Sequence, residues 1–76
     1  MKDKDAYEKW EALCKEFEAA RDAQFAAYAA VTRGFARVAK GTGGNPSEEE
    51  LDAYEKTSQM LEEIERRMDE FIKANT

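Results

Sequence analysis

The chain has no histidine, one cysteine (Cys14) and one proline (Pro46) among its 76 residues. Each scarcity closes off a class of protein. Without histidine there is no imidazole to move protons near neutral pH, and the repeated Glu-x-x-His arrangement of a di-iron bundle cannot be built. A lone cysteine cannot form an intramolecular disulfide, and with no cysteine cluster a structural zinc ion has no ligand set. The expected cofactor and metal complement is none. Long apolar runs are missing too. The run Phe25-Ala26-Ala27-Tyr28-Ala29-Ala30-Val31 is bounded by Gln24 and Thr32, far short of the roughly 20 residues of a membrane span. Met1-Lys2-Asp3-Lys4-Asp5 leads into no signal-like apolar segment. Positive charge is in deficit: 12 basic against 17 acidic residues give a net charge of −5. That balance repels phosphate backbones, so neither nucleic acid nor membrane is an expected partner. A cytoplasmic location is the expectation, and an unpaired thiol fits it.

Glycine is scarce as well, and three of the four glycines fall in one break, Lys40-Gly41-Thr42-Gly43-Gly44-Asn45-Pro46. On either side the sequence reads as helix. The first helix is expected over about 4–40, starting near a cap at Asp3 or Asp5, with Gly34 its only interior glycine. Arg37 and Lys40 suit the negative end of its dipole, and Gly41 can end it in a left-handed conformation. The second helix is expected over about 48–74. Ser47 followed by Glu50 has the spacing of a capping box, and Pro46 stops any helix from continuing through Asn45. Pairs spaced by four on this helix (Asp52 with Lys56, Glu62 with Arg66, Glu63 with Arg67, Asp69 with Lys73) each add about 0.2–0.5 kcal/mol. A turn over 41–46 forces the helices antiparallel. The predicted fold is all-α, a single long coiled-coil-like hairpin spanning 1–76.

Seven-residue columns mark the seam. On the first helix they are Trp10, Phe17, Gln24, Val31 and Val38; Leu13, Ala20, Ala27 and Gly34; and Tyr7, Cys14, Arg21, Tyr28 and Phe35. The second helix offers Tyr54, Leu61 and Met68, with Thr57, Ile64 and Phe71, and Leu51 and Ile72 on the flank. Paired outward from the turn, the second helix should end near the level of Leu13, leaving Tyr7 and Trp10 uncovered. Ala19, Ala23, Phe25, Ala26, Ala29, Ala30 and Ala36 widen the apolar arc beyond one stripe, which one partner helix cannot cover. A chain of this size has little core of its own. The sequence therefore predicts self-association, most simply a homodimeric four-helix bundle, with a higher oligomer as the alternative. The interface candidates are Tyr7, Trp10, Phe17, Gln24, Phe25, Tyr28 and Phe35. Gln24, a polar residue in the seam, is expected to meet Thr57 or Ser58 within the hairpin, or a second Gln24 across a two-fold axis.

Chemistry is hard to place. Cys14 has no histidine beside it and reads as structural. Glu48 to Glu50 and the acids from Glu62 to Glu70 read as solvated helix faces rather than a metal site. Gly41-Thr42-Gly43-Gly44 lacks the spacing and the lysine–hydroxyl pair of a phosphate loop. No catalytic residue is assigned. The leading reading is a structural or protein-interaction module without catalysis. In length and in its Pro46-Ser47 turn with an early Trp10, the chain resembles the helical-hairpin needle subunits of type III secretion. That resemblance implies a filament component, and a small chaperone is the related alternative. The tail Lys73-Ala74-Asn75-Thr76 departs from the apolar end of a filament subunit. An enzyme would need a composite inter-subunit site drawn from Cys14, tyrosines and carboxylates.

Overall fold

Two helices, α1 (Lys4–Ala39) and α2 (Glu48–Ala74), pack antiparallel in a rod of 58 × 16 × 14 Å. The structure, a computed structural model, describes residues 4–76. The candidate cap Asp3 lies outside the described residues, and Asp5 sits in the first turn of α1. The protein is an all-α two-helix hairpin.

Local chemistry fixes both ends of the turn. Gly41 takes a φ of 70°, and the two bonds of a Schellman motif form beside it: Gly41 N–H donates to the Val38 carbonyl and Thr42 N–H to the Arg37 carbonyl, each at 3.0 Å. At the far side the capping box closes. Ser47 Oγ accepts from the Glu50 N–H at 3.1 Å, while the Ser47 N–H donates to Glu50 Oε1 at 2.9 Å. Arg37 bridges the turn towards Glu50 at 4.0 Å. At the other end of α2, Asn75 closes the helix with its own N–H on the Phe71 and Ile72 carbonyls.

The turn also sets the register, and here the structure departs from the sequence expectation. The chain does not leave α1 outward; it folds back, so that Pro46 is buried against Gly34 and the turn lies over the Arg37 side chain. α2 therefore begins level with Gly34 rather than with Lys40. Its far end reaches correspondingly further: Trp10 stacks on Phe71 with ring centroids 5.7 Å apart, and Arg67 bonds Glu16 across the seam at 3.0 Å. The end of α2 passes Leu13, and Trp10 is covered within the hairpin. The overhang falls at the turn end instead, where Val38, expected in the seam, is 42% exposed.

The core is thin. Ala6, Leu13 and Ala20 on α1 and Ile64 on α2 are its buried hydrophobic residues, joined by Gly34 and Pro46 near the turn. Leu13, Ala20 and Gly34 belong to the column expected at the seam, whose Ala27 is half-buried, and Ala6 extends it by one heptad. Among the described residues no large side chain is fully buried. That is a small core even for a chain of this size.

Candidate interaction face

The charge pattern of α1 changes halfway along. Its outward columns begin charged: Lys4, Glu11 and Glu18 in one, Glu8, Lys15 and Asp22 in the next. Those same columns then continue as Phe25, Thr32 and Ala39, and as Ala29 and Ala36. From Ala23 to Thr32 no residue carries a charge on any side. α2 covers only one side of this segment, and a helix that is uncharged all round is normally enclosed all round.

The rings of this segment, and Phe35 one turn beyond it, stand in solvent. Phe25 is 68% exposed, Tyr28 51% and Phe35 57%. Phe25, Tyr28, Thr32 and Phe35 follow one another at spacings of three and four, so they form one ridge along the helix. Tyr28 touches Tyr54 of α2 with ring centroids 6.1 Å apart and planes tilted by 48°, which carries the apolar surface across to the second helix. Leu51, one turn before Tyr54, is also exposed. The candidate residues Phe25, Tyr28 and Phe35 are thus brought together on one surface, which Val38 and Leu51 extend. Sequence alone does not reveal either addition: the seven-residue spacing puts Val38 in the seam, and only the register shows which neighbours Leu51 has.

The remaining candidates lie elsewhere. Phe17 is half-buried in the seam, and Trp10 is engaged with Phe71. Tyr7 is 55% exposed at the open end, far from the ridge. A hydrogen bond with Glu11, together with that carboxylate's charge, raises the Tyr7 phenol above its ordinary value of 10.0. Gln24 is half-buried at mid-length, but the expected bonds within the hairpin do not form. Thr57 Oγ1 donates to the Ala53 carbonyl at 2.7 Å and also lies 3.1 Å from that of Tyr54, the usual habit of a helical threonine. Ser58 Oγ is buried without a hydrogen-bond partner.

Cys14 lies half-buried in a shallow groove with Tyr7, Trp10, Glu11, Lys15 and Glu18. Among the described residues, no three or more Cys, Asp or Glu side chains converge as metal ligands. Three acids of α2 bond bases along their own helix: Arg66 bonds Glu63 and Glu70, and Lys73 bonds Asp69 at 2.9 Å. Among the described residues, only Asp69 with Lys73 forms of the four expected pairs, and Asp52 and Lys56 are not paired. Arg66 reaches Glu63 and Glu70 instead of Glu62, and Arg67 leaves Glu63 for Glu16 across the seam. Hydrogen bonding to Arg66 lowers the Glu63 carboxyl below its ordinary value of 4.5, and hydrogen bonding to Asp69 raises the Lys73 amine. These are solvent-exposed pairs of little energetic weight.

No helix among the described residues is long and apolar enough to cross a membrane. Comparison with protein-family models, with curated proteins and with solved structures gives no match to this chain.

Proposed function

We propose that this chain is a small self-associating helical module that acts through protein–protein contact, without a catalytic step, in the cytoplasm. The observation that carries the reading is the exposed ridge of Phe25, Tyr28 and Phe35 on a hairpin whose own core is so thin. Isolated exposed apolar residues are normal on any protein, whereas a contiguous patch is not. At about 200 Å² per ring, the exposed fractions leave roughly 350 Å² of aromatic surface on each chain. Two copies would supply roughly 700 Å² from the rings alone, about half of what a stable interface buries. Val38, Leu51 and the intervening alanines and threonine extend the patch towards the full area.

A homodimer in which four helices pack around the ridge is the simplest closed form. The absence of charge between Ala23 and Thr32 supports it, since no ion needs to be desolvated when that segment is covered. Sedimentation velocity over a range of concentrations tests the reading. The wild type should sediment as a dimer, and Phe25→Glu should shift it to monomer while helicity is kept. Growth into open filaments at high concentration would favour the needle-like alternative, and a monomer at every concentration would refute self-association.

A further inference from the structure

We infer that the second copy docks antiparallel, α1 against α1, with the two-fold axis crossing between Ala29 and Thr32, so that the hairpins overlap by their turn halves and their open ends point apart. The arrangement presupposes the self-association proposed above.

Like charge decides against the parallel alternative. With both turns at the same end, each residue of α1 would face its own counterpart. Glu11 and Glu18, which continue the Phe25 column towards the open end, would then oppose Glu11 and Glu18 of the other chain. Antiparallel docking centred on the ridge removes that conflict. Glu18 of one copy comes level with Thr42 and Gly43 of the other, within a turn of Lys40, while Arg21, which comes level with Lys40 itself, is paired with Asp22 on its own helix. Glu11 passes beyond the end of its partner.

Size points the same way. Around an axis at Ala29 to Thr32, Phe25 of one helix comes level with Phe35 and Ala36 of the other, and Tyr28 comes level with Thr32. Phe25 then meets a second ring beside a small residue, and Tyr28 meets a threonine, so no ring faces its own counterpart and the bulk is spread along the seam. In a parallel pair Phe25 would meet Phe25 and Tyr28 would meet Tyr28, while Ala29 met Ala29 and left a gap. Antiparallel helices also oppose their dipoles. The overlap covers α1 from about Arg21 to Ala39, with the uncharged stretch from Ala23 to Thr32 at its centre and Arg21, Asp22, Arg33 and Arg37 outside that stretch.

Spin-label distances read the orientation directly, and Cys14 is the chain's sole cysteine, so one label can be placed per chain. Glu18→Cys in a Cys14→Ala background puts a label at an exposed position. At about 1.5 Å per residue, the antiparallel dimer separates two such labels by about 36 Å, and a parallel dimer keeps them within about 20 Å. The native Cys14, labelled in the wild-type chain, provides a second readout at about 48 Å in the antiparallel arrangement. Distances near 36 and 48 Å in a sample of dimer mass support the inference. Short distances in a sample of dimer mass overturn the orientation and leave self-association standing. A monomeric mass overturns both.

Discussion

Replacing Gly34 with alanine should weaken the hairpin, although alanine is the better helix former. The propensity gain is about 0.8–1.0 kcal/mol. Against it stands Pro46. A Cβ at position 34 would lie 2.6 Å from Pro46 Cγ and 3.0 Å from its Cα and Cβ, where carbon atoms prefer about 3.5–4.0 Å. A flexible side chain would swing aside, but the pyrrolidine ring is locked to its own backbone. Moving it drags Ser47, the cap of α2, and the register that puts Phe71 on Trp10. Overpacking of this kind costs about 1–3 kcal/mol. The expected balance is a loss of about 1 kcal/mol, which lowers Tm by about 4–8 °C in a chain of this size. Far-UV circular dichroism during heating, at fixed protein concentration, measures it. Gly44→Ala is the control: its Cβ would meet nothing within 4 Å, so that change should be neutral or raise stability by up to about 1 kcal/mol. Pro46→Ala removes the nearest atom and should shrink the cost of Gly34→Ala. A Gly34→Ala chain more stable than wild type would refute the close approach of the turn to α1 and the register built on it.

Ser47→Ala should cost about 1 kcal/mol in urea unfolding, because the Glu50 N–H loses its acceptor at the start of α2. The Glu50 carboxyl is held below its ordinary value of 4.5 chiefly by the Ser47 N–H, which outweighs the opposing effect of desolvation, with lesser help from the Ser47 side chain and from the charges of Arg37 and Arg33. A depressed carboxyl stabilises above its unfolded value, and that contribution fades as pH falls from about 4.5 through the lower folded value. Glu50→Gln should therefore flatten the pH dependence of Tm in that acid range, and an unchanged slope would rule the carboxylate out. Trp10→Ala should cost up to about 3 kcal/mol, the low end for a buried ring because Trp10 is half-buried, through loss of the stack on Phe71. It should leave the oligomeric mass unaltered in light scattering, because Trp10 is covered inside the hairpin.

Those features that depend on a few neighbouring residues were legible in the sequence. Ser47 with Glu50 announced the capping box, Gly41 the left-handed end of α1, and the Leu13–Ala20–Gly34 column the buried seam. Features that depend on how the chain leaves its turn were not. Nothing in Gly43-Gly44-Asn45 states that the chain doubles back over Arg37. A displacement of about six residues at the turn carried through to the open end, covering Trp10 and exposing Val38. The side-chain pairs of α2 failed for a related reason. Spacing by four offered Arg67 a partner in Glu63, but the register placed Glu16 across the seam within reach. Gln24 is recognisable as a polar intruder in an apolar column, yet it bonds neither expected partner: Thr57 is satisfied by its own helix, and Ser58 Oγ is buried without a hydrogen-bond partner. The ridge was visible as Phe25, Tyr28 and Phe35 only as part of a wider alanine-rich arc. Its shape required the knowledge of which side α2 occupies.

The central claim is that the ridge on α1 is a surface shared between copies, and the molar mass in solution tests it most directly. Light scattering on the wild-type chain should give twice the 8.7 kDa of one chain. The Phe25→Glu/Phe35→Glu variant should give the mass of one chain with its helical circular dichroism retained. A wild type that stays at 8.7 kDa up to millimolar concentration, or a double variant that still dimerises, would contradict the account.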